Sequence, residues 1–271
     1  MREPGAARDP VAVSLKAVAL PVEHGGWGFL LEPVVLGLLV APSGAGLAFG
    51  IAAVGAFLAR HPLKLARLDR GKGLRTARTV AAERCMLAYG TVALAALAVA
   101  WASAGPRPLF PLLAAIPLGL VPVAYDGRNQ SRALFPELAG AVALGSLASA
   151  VTLAGGWALA PALALWALLA SRAVAWVLYV RARLRLDRGQ RPSLLPAWAS
   201  HLAGLGLAAA LVRAGWAPAL AVLALAVLLL RAVHGLSPWH RPLRPQVLGL
   251  LETGFGLLTV VLLTLGYRLG V

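Results

Sequence analysis

The sequence predicts an all-α polytopic membrane protein with nine transmembrane helices, and three observations lead to this prediction. Only 13% of the 271 residues are charged, whereas soluble domains carry about 25%. Apolar runs of about 17 to 25 residues, the length that spans a bilayer, separate the charged segments. The mean hydropathy is high at +0.80, and the basic residues gather in alternate polar segments.

The chain begins with a polar arm, residues 1–20, which has no signal-peptide pattern. We expect this arm to be cytoplasmic and partly disordered. Residues 21–271 are predicted to form a single transmembrane domain. The nine spans are predicted at about 26–41, 44–60, 81–104, 108–124, 134–154, 157–180, 195–212, 215–233 and 246–266. Short connections between them, such as Pro42-Ser43 and Gly155-Gly156, predict antiparallel neighbours.

The distribution of basic residues predicts the orientation. With the N-terminus inside, 19 of the 25 basic residues fall in segments that face the cytoplasm, and Arg107, Arg213 and Arg268 fall in extracytoplasmic segments. The remaining three lie within predicted spans. The positive-inside rule therefore predicts a cytoplasmic N-terminus and an extracytoplasmic C-terminus. The net charge of +15 favours anionic partners at the membrane over nucleic acid, because the charges sit in short loops. The single cysteine, Cys85, excludes an internal disulfide.

One basic segment, residues 60–78, carries seven basic residues and a single acid, Asp69. Its RLDRG sequence at 67–71 recurs at 185–189, so that one copy follows the second predicted span and the other follows the sixth. This spacing suggests two four-helix halves with a ninth helix appended.

The junction between the arm and the first span is the first candidate site. Adjacent Glu23 and His24 could form an acid–base pair, a metal-ligand set or a headgroup contact. The alternative is an interfacial anchor, with Trp27 in the aromatic belt. We predict Glu23 and His24 as catalytic residues if there is catalysis, because the pKa of an unperturbed imidazole lies near 6.5.

Ionisable residues inside the predicted spans form the second candidate set. An unpaired charge at the centre of a bilayer costs roughly 2.5–3.5 kcal/mol, so these side chains should face the interior and pair. Glu32 and Glu252 are the sharpest cases, since apolar sequence flanks each of them. The other members are Glu83, Arg84, Glu137, Arg172 and Arg231.

The third candidate set is a group of polar residues at the cytoplasmic ends of different spans. Guanidinium groups bind phosphate or carboxylate with two hydrogen bonds, although positive-inside topology alone also explains such arginines. We predict that these residues converge on one pocket for an anionic headgroup. The predicted ligand-binding residues are Arg60, Lys64, Arg67, Arg172, Tyr179, Arg181, Arg241 and Glu252. No metal motif, Walker loop or catalytic elbow appears in the sequence, and no cofactor is expected.

Five segments carry a resemblance to a known family: PVEHGGWGFLLEP, ARHPLK, PELAG, WVLYVRARLR and LRPQVLGLLETGFG. They resemble the YwiC-like family of bacterial membrane proteins, which implies a location in the bacterial cytoplasmic membrane. The family brings no activity that can be assigned to these residues.

Nine spans with related loops after the second and sixth are also similar to the UbiA superfamily of intramembrane prenyltransferases. Those enzymes carry Asp-rich motifs that hold Mg²⁺ and a prenyl diphosphate. Here the corresponding segments retain only Asp69 and Asp187 among arginines, a poor set for Mg²⁺. The comparison implies an anionic amphipathic ligand, such as an isoprenoid or lipid phosphate, bound by positive charge alone.

Three functions remain open at this stage. The first is a UbiA-like ligand-binding protein, with or without transferase activity, whose site opens sideways to lipid. The second is a transporter or permease that uses the polar interior, and the third is a non-catalytic assembly factor.

Overall fold

A computed structural model describes residues 14–21, 24–127, 130 and 133–271. Every regular element among them is a helix. The helices are α1 (Leu15–Ala19), α2 (His24–Val40), α3 (Gly44–Gly71), α4 (Ala77–Ala104), α5 (Leu109–Gly127), α6 (Leu134–Ala154), α7 (Leu159–Leu186), α8 (Leu195–Arg213), α9 (Leu220–Gly235) and α10 (Pro245–Leu269).

The nine long helices, α2 to α10, fall on the nine predicted spans. Seven of them are long and apolar enough to cross a membrane; α2 and α9 are shorter apolar helices, with apolar stretches at Gly26–Val40 and Leu220–Gly235. The all-helical class and the multi-pass membrane character are confirmed, while nine crossings stay a prediction.

The helix ends follow from local sequence. Ser43 begins α3 by accepting a hydrogen bond from the Gly46 amide at 3.0 Å, and Thr76 forms a capping box with Thr79 at the start of α4. Such caps satisfy backbone amides that have no partner inside the helix. Gly215 has φ 72°, a left-handed conformation that glycine adopts without steric cost, and it lies in the connection between α8 and α9.

Helix α6 forms the centre of the bundle and packs against α2, α3, α5 and α7. Residues 145–153 are buried on every side, and many of them are Ala, Ser or Gly, which let helix backbones approach closely. The approach of α2 is the tightest, since a Cβ at Gly37 would lie 2.8 Å from Val151 Cβ. Trp166 Nε1 donates to the Val142 oxygen at 2.8 Å and ties α7 to α6.

The first and last long helices meet, because α2 also packs against α10. The circuit runs from α2 through α6, α7, α8 and α9 to α10. Helix α4 lies outside it, packed chiefly on α3, with only 6% of its most apolar window buried. Leu87 and Leu94 are therefore exposed on α4, as expected of a surface that faces lipid chains.

The basic segment is only partly a loop, which differs from the sequence expectation. Helix α3 continues past the predicted end of its span at residue 60 to Gly71, and α7 continues past residue 180 to Leu186. The extension of α3 is amphipathic, because Pro62, Ala66 and Asp69 are buried at helical spacing. The five-residue helix α1 covers it, with Val18 packed against Ala66 and Ala82.

Candidate functional site

Two cavities lie at the same end of the bundle, where α3, α5 and α7 end and α10 begins. We call this the basic end. The first, the basic cavity, measures about 350 Å³ and lies between α3 and α5, lined by Arg60, Lys64, Arg67, Lys72 and Asp126 among others. The second, the paired-charge cavity, measures about 570 Å³ and lies between α2, α7 and α10, where Glu32, Arg172, Trp176 and Glu252 line it.

The basic cavity owes its charge to one face of α3. Arg60, Lys64 and Arg67 are spaced by four and three residues, so they project from the same side of the helix. Asp126, at the end of α5, is buried. It accepts from Arg60 Nη2 at 2.8 Å and from Lys64 Nζ at 3.3 Å. Arg67 and Lys72 also line the cavity, so its lining holds four cations and one carboxylate and carries an excess of positive charge.

Two ion pairs lie at the paired-charge cavity, and each of them joins two helices. Arg172 on α7 binds both carboxylate oxygens of Glu32 on α2, with Nη2 at 3.1 Å from Oε1. Arg231 on α9 lies 3.3 Å from the Glu252 carboxylate on α10. Three of these side chains are almost completely buried: Arg172 is 5%, Arg231 7% and Glu252 2% exposed. Pairing is what the cost of an isolated charge in a bilayer requires.

Aromatic rings and glycines complete the surroundings of the two pairs. Phe29 and Trp176 line the cavity and meet edge to face, with centroids 4.6 Å apart. Gly256 lets α10 approach the Glu32–Arg172 pair, since a Cβ there would lie 2.0 Å from Glu32 Oε1.

Tyr179 lies behind this cavity and does not line it. Its ring is buried, and the Arg231 guanidinium stacks over it at 3.9 Å from the centroid. His201 on α8 meets Tyr179 edge to face at 6.3 Å and is itself buried. The polar residues thus extend from Glu32 across the bundle to α8.

The remaining predicted ligand residues lie outside both cavities. Arg181 forms an ion pair with Glu137 at 2.7 Å and joins α7 to α6. Arg241 contributes its backbone oxygen, which accepts from buried Arg183. Arg183 also pairs with Asp187 at 3.3 Å and donates to the oxygen of Gly235, so it holds the connection between α9 and α10.

The two aspartates of the repeated RLDRG sequence have similar structural roles. Asp69 accepts from Arg78 and from the Thr79 hydroxyl, which holds the turn between α3 and α4. Asp187 pairs with Arg183 and lies 3.6 Å from His240 Nε2. In the described part of the chain, no three His, Cys, Asp or Glu side chains are grouped as metal ligands would be.

The structure therefore divides the predicted ligand residues between two cavities. Arg60, Lys64 and Arg67 line one; Arg172 and Glu252 line the other. Glu23 lies outside the described residues. His24 begins α2, but its side chain also lies outside the described part, so the catalytic roles of both stay predictions.

Sequence reasoning gave Asp126 no place in the ligand set and placed Arg231 among the intramembrane charges without assigning it to the site. The signal for Arg231 was present, since its charge lies within an apolar segment as Glu252 does. Asp126 follows Tyr125 in a turn-like YDGRN sequence, which gave no indication that α3 would bring two cations to it.

Comparison with known proteins gives one match. Residues 20–152 match the model of a family described as YwiC-like protein, a region that runs from α2 to α6 apart from two residues of the latter. It includes PVEHGGWGFLLEP, ARHPLK and PELAG, and excludes the two C-terminal segments that carried the resemblance. No curated protein and no solved structure matches significantly.

Proposed function

We propose that this multi-pass membrane protein, of which residues 20–152 match the model of the YwiC-like family, binds an amphipathic anion through its basic cavity. The observation that carries the proposal is the charge of that cavity, whose lining holds four cations and one carboxylate, Asp126. Guanidinium and ammonium groups gathered at the end of apolar helices are the chemistry that recognises phosphate or carboxylate headgroups.

The apolar lining of the cavity favours a ligand with a chain. Leu63, Leu68 and Val123 lie among the cations, and both α3 and α5 are candidate membrane spans. A headgroup bound by Arg60 and Lys64 would therefore leave its chain beside apolar helix surfaces. An isoprenoid phosphate or a lipid phosphate has this form.

The proposed setting is the bacterial cytoplasmic membrane, with nine crossings, the N-terminus inside and the basic end facing the cytoplasm. The charge count along the sequence supports this orientation. A UbiA-like arrangement of two halves is part of the proposal and draws support from the RLDRG copies, which lie at the ends of α3 and α7, the second and sixth long helices. If the protein is a transferase, Glu23 and His24 are the proposed acid–base pair.

The test measures binding of dioctanoyl phosphatidate to the purified protein in a nonionic detergent. The variant is Arg67→Gln with Lys72→Gln, which removes two exposed charges from the basic cavity. Each cation near an anionic lipid surface contributes about 1 kcal/mol, so affinity should fall about 30-fold.

The matched control is Arg188→Gln with Arg191→Gln, which removes two exposed charges from the connection between α7 and α8. It should retain the affinity of the unmodified protein. Equal losses in the two variants would mean that the phosphatidate responds only to net charge, and the proposal would be rejected.

A further inference from the structure

The paired-charge cavity differs in charge from the basic cavity, and this difference indicates a different ligand. Two ion pairs lie at this cavity, Glu32 with Arg172 and Glu252 with Arg231. Glu32, Arg172 and Glu252 line it, whereas Arg231 is not part of the lining. The charges of the two pairs cancel. An anion that entered would meet Glu32 and Glu252 on the cavity wall, and a cation would meet Arg172. Neither sign of charge is complementary to this cavity.

Hydrogen-bonding capacity nevertheless remains. Arg172 lines the cavity, and among the described residues two of the five N–H groups of its guanidinium have a partner, both in Glu32. An acceptor oxygen on a ligand in the cavity could bind a remaining N–H group on the Nη nitrogens without breaking the ion pair.

Apolar side chains make up much of the remaining lining. Phe29, Trp176, Val180 and Leu184 belong to it, and so does Leu250, which is 74% exposed on α10. Helix α10 is a candidate membrane span, so the lining continues onto a surface that lipid chains would cover.

We propose that the paired-charge cavity is a second binding site, which takes an uncharged amphipathic molecule whose polar head carries hydrogen-bond acceptor oxygens, such as the hydroxyl and ester groups of a diacylglycerol. The head reaches Arg172 between the aromatic rings, and the chains leave past Leu250 into the bilayer. The site is independent of the basic cavity, because the two share no lining residue.

The experiment uses Trp176 as a reporter, because brominated lipids quench tryptophan fluorescence only on contact. The full chain is reconstituted in phosphatidylcholine vesicles with brominated diacylglycerol. We expect saturable quenching that unlabelled diacylglycerol reverses and phosphatidate does not. The Trp176→Phe variant keeps an aromatic ring beside Phe29. It should lose the saturable quenching, and the fluorescence of the other seven tryptophans should show only the non-saturating quenching by bulk lipid.

Two glycines on α10 supply a matched pair of variants. A Cβ at Gly249 or at Gly254 meets no atom within 4 Å, so the first carbon of a side chain fits at both positions. Only Gly249 lines the cavity. Gly249→Leu should therefore abolish the saturable quenching by occupying the site, and Gly254→Leu should leave it unchanged.

Three results would overturn the proposal. The first is quenching that rises without saturation, as bulk lipid would produce. The second is equal saturable quenching by brominated phosphatidate or brominated phosphatidylcholine, which would show that the cavity does not select uncharged heads. The third is loss of saturable quenching in both glycine variants, which would place the bound lipid elsewhere on α10.

Discussion

Removal of one partner of the Glu32–Arg172 pair should destabilise the protein far more than removal of both. Arg172 is 5% exposed and Glu32 18% exposed, so Glu32→Gln leaves a guanidinium buried between α2 and α7 without its paired carboxylate. Breaking a buried ion pair costs about 3–5 kcal/mol, and an uncompensated arginine at the centre of a membrane helix costs roughly 2.5–3.5 kcal/mol. The two estimates agree on about 3 kcal/mol for Glu32→Gln.

The double variant Glu32→Gln with Arg172→Met replaces the pair by uncharged side chains of similar size. We expect it to recover most of the loss, because the desolvation of both charges is removed together with their attraction. The assay is a double-mutant cycle of the free energy of unfolding in mixed micelles, with Arg172→Met as the fourth corner. A Glu32→Gln loss below about 1 kcal/mol, with no coupling between the two sites, would refute the argument that the pair is buried and interdependent.

Four further outcomes are expected. Gly256→Ala should destabilise the protein by about 1–3 kcal/mol, because its Cβ would lie 2.0 Å from Glu32 Oε1. Gly254→Ala should leave the stability unchanged, because a Cβ there meets nothing within 4 Å. The melting temperatures of the two variants measure the difference. Asp126→Asn should tighten binding of dioctanoyl phosphatidate about fivefold, because the cations of the basic cavity lose their competing carboxylate; weaker binding would mean that Asp126 positions those cations for the headgroup. A reporter enzyme fused after Val271 should be active outside the cytoplasm, and cytoplasmic activity would contradict the predicted topology. Phosphatidate binding should survive EDTA, and loss that Mg²⁺ restores would show that the anion is held through a metal.

The positions of the long helices could be predicted because their signal is local. An apolar run of bilayer length requires internal hydrogen bonds along the whole segment, and each of the nine predicted spans overlaps one long helix. The ends were less predictable. Past residue 60 the sequence is polar and basic, but α3 continues to Gly71, because burial of Pro62, Ala66 and Asp69 against neighbouring elements stabilises the extra turns.

The sequence by itself determined the class of protein, the resemblance to YwiC-like proteins and the need for buried charges to pair. These follow from composition and from the cost of charge in hydrocarbon, which depend on residue type. Only the tertiary structure decided the partners. Glu32 and Arg172 lie 140 residues apart, and Arg60 lies 66 residues from Asp126. Which carboxylate meets which cation depends on helix packing and rotation, so the single pocket expected from the sequence became two, one basic and one balanced in charge.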